Sequence, residues 1–107
     1  MGVLLALCTC PDSESADAIA TVLVEQQLAA CVNILPGLTS VYRWNGKIER
    51  DAEVLLLIKT TEQQIETLTA CVCELHPYEL PEIIAVPVTR GLPQYLKWVS
   101  TCASHEN

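Results

Sequence analysis

The hydrophobic pattern alternates between short apolar runs and stretches with a period of three to four residues. Residues 3–10 are almost continuously apolar and stop at the turn-forming Pro11-Asp12-Ser13, which predicts a buried strand. Behind it, Ala16, Ile19, Ala20, Leu23 and Val24 share one face of a helix predicted over about residues 14–27. An extended stretch then runs from Ala29 to Trp44, and Pro36-Gly37 within it predicts a bulge or bend. Asn45-Gly46 predicts a two-residue hairpin turn, because both positions tolerate positive φ, so the next strand folds straight back and runs to about Thr60. Thr61 and Gln64 suit a capping box for a second helix, on which Ile65, Leu68, Val72 and Leu75 fall on one face. Pro77 and Pro81 hold the segment from His76 to Pro81 extended, ahead of a strand at residues 83–88. A last helix starts near Pro93 with Leu92, Tyr95, Leu96, Val99 and Cys102 on one face, and residues 104–107 predict a frayed polar tail.

The order β-α-β-β-α-β plus a terminal helix predicts an α+β, ferredoxin-like sandwich with a long β2-β3 hairpin, both crossover helices lying on one face of the sheet. The 107 residues form one domain, 1–107, whose polar tail begins at about residue 103. Val54 to Ile58 is apolar at every position, whereas a strand with one wet face alternates. The second face therefore needs a cover, and the chain has nothing left to supply it. Self-association is the expected answer, with the overhanging hairpin reaching to a neighbour's sheet edge.

Composition narrows the partners. Half of the residues are hydrophobic and 18% are charged, ample for a core without disulfide staples. Thirteen acidic against six basic residues give a net charge of −7, with no basic stripe, so a nucleic-acid partner is not expected. The N-terminal apolar run has no basic residues ahead of it and is too short to span a bilayer, so neither export nor a membrane is expected. The six cysteines are then read as reduced and the compartment as cytoplasm.

An enzymatic reading has little to stand on. Of the two histidines one is in the tail, which leaves His76 as the only candidate base, with no nucleophile elbow, phosphate loop or dinucleotide fingerprint beside it. No organic cofactor is expected. Metal ligands are better represented: His76 lies in the rigid loop near Glu79 and Glu82, and Cys8 and Cys10 end the first strand on one face. Thiolate with imidazole suits copper. Cys31, Cys71, Cys73 and Cys102 read as small buried hydrophobes, and Cys10 is intermediate between that and a ligand. Glu53 and Lys59 share a strand face with Leu55 and Leu57, where they either pair, line a cleft or mark the ends of the buried stripe. Tyr42 and Trp44 flank the hairpin turn and suit an interface or a ligand pocket.

Five segments taken together carry a family resemblance: Cys8-Thr9-Cys10-Pro11-Asp12, residues 28–34, residues 42–47, Ile58-Lys59-Thr60-Thr61, and residues 76–82. From about residue 3 to Trp98 the chain resembles the CutA divalent-cation-tolerance family. That resemblance implies a ferredoxin-like protomer in a tight homotrimer built by strand pairing, similar in architecture to the PII signalling proteins. It also implies a link to tolerance of divalent metals, copper especially, with Cys8 and His76 at the positions of the proposed ligands; joined to the ligand chemistry, this predicts a non-enzymatic protein that binds copper(II) and takes part in the response to metal ions, with Glu79 or Tyr78 assisting. One position departs: some members carry a second histidine where this chain has Leu75. The alternative implied by the PII likeness is a signalling trimer whose clefts, lined by Trp44, Glu53, Lys59 and Tyr78, take a small molecule or a partner protein. A hydrolase of the acylphosphatase type would need an Arg and Asn pair around a phosphate loop, which residues 9–13 do not supply.

Overall fold

The computed structural model describes residues 2–104. Its elements follow the order read from the pattern: β1 (Val3–Cys10), α1 (Ser13–Glu25), β2 (Cys31–Trp44), β3 (Lys47–Thr61), α2 (Ile65–Leu75), β4 (Ile84–Pro87) and α3 (Pro93–Cys102). The four strands form one antiparallel sheet in the order β2-β3-β1-β4. Asn45 and Gly46 both have positive φ, 52° and 77°, which closes the β2-β3 hairpin in the way a right-handed strand twist requires. The bend foreseen at Pro36-Gly37 is a register break between Leu35 and Leu38, with Gly37 at φ 87°. β1 pairs with β3 only as far as Cys10 opposite Val54, so residues 47–53 of β3 project beyond it with β2 as their partner.

One face of the sheet carries the main core. Ala6, Cys8 and Cys10 of β1 and Val54, Leu56 and Ile58 of β3 pack against Ile19 and Leu23 of α1 and Leu68 and Val72 of α2. The opposite face was expected to be bare of cover from this chain, and that is corrected at one end. Val99 and Ala103 of the α3 segment bury Val3 and Ala30 in a second, separate cluster. The Thr61 hydroxyl donates to the Ala103 carbonyl at 3.4 Å. The ordered chain thus runs past the start assigned to the polar tail, while positions 105–107 of that tail lie outside the described residues. Further along this face Leu5, Leu7, Leu55 and Leu57 are half-buried, and Leu35, Ile84 and Val86 are exposed.

The helix starts are settled by local chemistry. Asp12 caps α1: its Oδ1 accepts the Ser15 N–H at 2.8 Å, which holds its carboxyl below the usual range. The capping box foreseen for α2 does not form, since β3 continues through Thr61 and that side chain is turned to Ala103; Gln64 sits at the cap position without a side-chain bond. Asp12→Ala is expected to lower the thermal midpoint by a few degrees. Because the folded-state pKa is depressed, the contribution is present above the unfolded carboxyl pKa and disappears as pH falls through the folded one. Melting curves of parent and variant should therefore converge in acid.

Candidate metal centre and adjoining cleft

The end of β1 and the loop after α2 meet, which brings together residues far apart in sequence. Strand alternation puts Cys8 and Cys10 on the same face, turned into the core and fully buried. The ring of His76, 7% exposed at the C-cap of α2, arrives from the other side. The ligand atoms of Cys8, Cys10 and His76 all lie within 4.8 Å of one another, and among the described residues this is the one group of three or more metal-ligating side chains that converges.

Hydrogen bonds define the state of the imidazole. The Tyr78 N–H donates to Nδ1 at 3.1 Å, so Nδ1 is unprotonated and Nε2 carries the proton, which it donates to the Thr9 carbonyl at 2.7 Å. His76 thereby fastens the 76–82 loop to the end of β1, and its ring stands 4.8 Å from that of Tyr78. Cys8 is pushed far above the ordinary thiol range, first by its hydrogen bond to Cys10 and then by burial, while Cys10 is drawn down by accepting that bond. The Cys8 Sγ also lies 3.9 Å from the Thr9 carbonyl.

The donor set fits a soft ion. Two donors bound at about 2.3 Å to one ion are at most about 4.6 Å apart, so the three groups close on an ion with small side-chain rotations. Two sulfurs and one imidazole in a dry pocket suit copper(I), which accepts three soft ligands; zinc takes four, and copper(II) favours tetragonal nitrogen and oxygen. Nucleophilic catalysis by a Cys–His pair would need a substrate at the sulfur, and these sulfurs are buried, so the arrangement admits an ion more readily than a molecule.

Next to the centre lies a cleft of about 760 Å³ between the hairpin and the 76–82 loop. Trp44, Glu53, Tyr78 and Glu79 line it; Lys59 does not. Glu79, foreseen as a metal ligand, is therefore an exposed wall residue of the cleft and stands apart from the three convergent donors. Glu53 is 7% exposed and accepts the Tyr78 hydroxyl at 2.5 Å; burial first, then this bond, raises the Tyr78 pKa. Lys59 instead donates to Asn33 at the opposite end of the strand stripe, so Glu53 and Lys59 neither pair nor share a cleft. Thr9, unremarked in the sequence, links the two features: its carbonyl holds His76 and its hydroxyl reaches Glu82 of the cleft at 3.4 Å. Only its place between two same-face cysteines hinted at this.

Comparison with known proteins places this chain in a family. The sequence model described as "CutA1 divalent ion tolerance protein" matches residues 4–102. "Divalent-cation tolerance protein CutA" of Thermus thermophilus is 53% identical over 93 residues, covering 87% of this chain and 90% of that protein. "Protein CutA homolog" of Xenopus laevis is 53% identical over 91 residues, covering 85% of this chain, and the chain spans 60% of that relative's length. Among solved structures, "PII-like protein CutA from Nostoc sp. PCC 7120 in apo form" superposes with a TM-score of 0.86 at 40% identity, covering 97% of this chain and 98% of that one.

Proposed function

We propose, from the premise that this chain belongs to the CutA1 divalent ion tolerance family, that it is a non-enzymatic copper-binding protein whose site is Cys8, Cys10 and His76. The observation that carries this reading is the convergence of three buried soft donors within 4.8 Å. The family description speaks of divalent ions, and the resemblance pointed to copper(II); the sulfur-rich, three-donor set favours the reduced ion, the form copper takes where thiols stay reduced. All six cysteines are free, in keeping with a reducing compartment such as the cytoplasm. Binding displaces the protons of the ligating thiols, and whichever imidazole nitrogen takes the ion gives up its bond to Thr9 or Tyr78. Copper therefore competes with the contacts that fasten the 76–82 loop, which gives a response to metal a structural outlet. No helix among the described residues is long and apolar enough to cross a membrane.

The half-buried Leu5, Leu7, Leu55 and Leu57 beside exposed Leu35, Ile84 and Val86 support assembly through that face, and the family resemblance supports a trimer. An anaerobic copper(I) titration against a chromogenic chelator tests the site. We expect one ion per protomer in the parent and loss of competition in a Cys8→Ser, His76→Ala double variant. A double variant that competes as well as the parent would remove the reading.

A further inference from the structure

We infer that Cys73 is the entry ligand of the proposed metal centre, an exposed thiol that takes copper(I) from a thiolate carrier in solution and hands it inward to Cys8, Cys10 and His76. This rests on the copper reading above. Cys8 and Cys10 are 0% exposed and His76 is 7% exposed, so an ion in solvent does not meet them directly. Of the six cysteines, all free, Cys73 alone is exposed. The sequence pattern grouped it with the small buried hydrophobes. The buried stripe of α2 runs through Leu68 and Val72, however, and one further residue turns Cys73 about 100° away from it.

Its position joins it to the centre from two sides. The His76 N–H donates to the Val72 carbonyl at 2.8 Å, so helical hydrogen bonding continues to the C-cap of α2. Cys73 and His76 are therefore i, i+3 neighbours on one helix surface, with Cβ atoms about 5–6 Å apart. From the other side Cys8 senses it, since charge on Cys73 is among the influences that raise the Cys8 thiol. The last turn of α2 has no basic side chain, and its carbonyl dipoles favour an approaching cation. α2 packs on the helix-covered face of the sheet, so a second copy on the opposite face does not cover Cys73. On the cleft side Glu79 and Glu82 offer only hard carboxylate oxygen, a poor exchange partner for copper(I) held by sulfur.

The transfer is ligand substitution in which copper stays cuprous. Cys73 gives up its proton as its sulfur replaces one carrier thiolate, and that thiolate leaves as the thiol. Cys8 and Cys10 then bind in the same way, their protons going to the second carrier thiolate and back to Cys73.

Anaerobic stopped-flow mixing of the full, metal-free chain with copper(I) bound to glutathione tests this, with loading followed by the ultraviolet absorption of the protein's cuprous thiolates. Cys73→Ser and Cys73→Ala should each load roughly tenfold to a hundredfold more slowly than the parent. Both should still reach one ion per protomer with the parent's affinity against the chromogenic chelator, and Cys31→Ser should load at the parent's rate. Cys73 is exposed, so an unchanged thermal midpoint verifies that its variants fold. Loading of both Cys73 variants at the parent's rate would overturn the inference. So would a loss of affinity as large as the loss of rate, which would make Cys73 a permanent ligand. A parent that takes up no copper(I) at all would remove the metal centre and this route with it, a result distinct from parent and variants loading equally fast.

Discussion

Cys10→Ser is expected to weaken copper(I) binding by at least about 100-fold. Loss of even an outer partner of a metal ligand costs roughly 10–100-fold, and a direct sulfur donor should reach at least the upper end. Serine keeps the shape but offers a hard oxygen that a cuprous ion binds poorly. Cys10 is fully buried beside Cys8 and His76, so no solvent-borne thiol can take its place. Cys31→Ser is the control: it sits on β2 opposite Lys59, away from the centre, and should titrate like the parent. A Cys10→Ser protein that folds and binds as the parent does, while Cys8→Ser and His76→Ala lose the ion, would reduce the centre to two ligands. Retention by all three would remove it. Cys10→Ala separates the loss of the donor from the cost of burying a hydroxyl, since alanine leaves no polar group unpaired.

The largest effect on stability is expected at Leu56. It is fully buried at the middle of β3, opposite Cys8 in register and within the core shared by α1 and α2. Leu56→Ala removes buried methylenes and leaves a cavity that the surrounding strands cannot fill, at a cost of about 2–5 kcal/mol. For a domain of this size that lowers the thermal midpoint by roughly 10–30 °C. The neighbouring Leu57→Ala turns the comparison into a test of assembly, because Leu57 lies on the other face and is only half-buried within one chain. In a lone protomer it should cost about 1 kcal/mol or less; covered by a second copy it should approach the Leu56 value and make the midpoint depend on protein concentration. Urea denaturation at two concentrations reads both. A small, concentration-independent Leu57 effect would argue against cover by another copy.

Much of the architecture was legible because it is governed by short-range rules. The hairpin depends on two adjacent residues able to take positive φ, the bend on Pro36-Gly37, and the α1 start on Asp12 placed three residues before Ser15. Where a local signal failed, a competing contact had won: Thr61 matched a capping pattern, yet the strand pattern extended through it and its hydroxyl found Ala103 forty-two residues away. Cover by α3 at the end of the second face was hidden for a similar reason. An amphipathic helix announces that it has an apolar face but not which surface receives it.

The candidate centre divides along the same line. Alternation along β1 determined, without any structure, that Cys8 and Cys10 share a face, and two prolines determined that the segment carrying His76 would be extended and rigid. Glu79 looked equally eligible as a ligand because it lies three residues from His76, and sequence distance was the only measure available. Tertiary structure alone brought the imidazole against the two thiols, through a hydrogen bond between residues 67 positions apart, and turned Glu79 out into the cleft. Backbone periodicity fixes the direction of each side chain from its own segment. Which directions converge depends on how the segments pack, and that is set by burial summed over the whole chain.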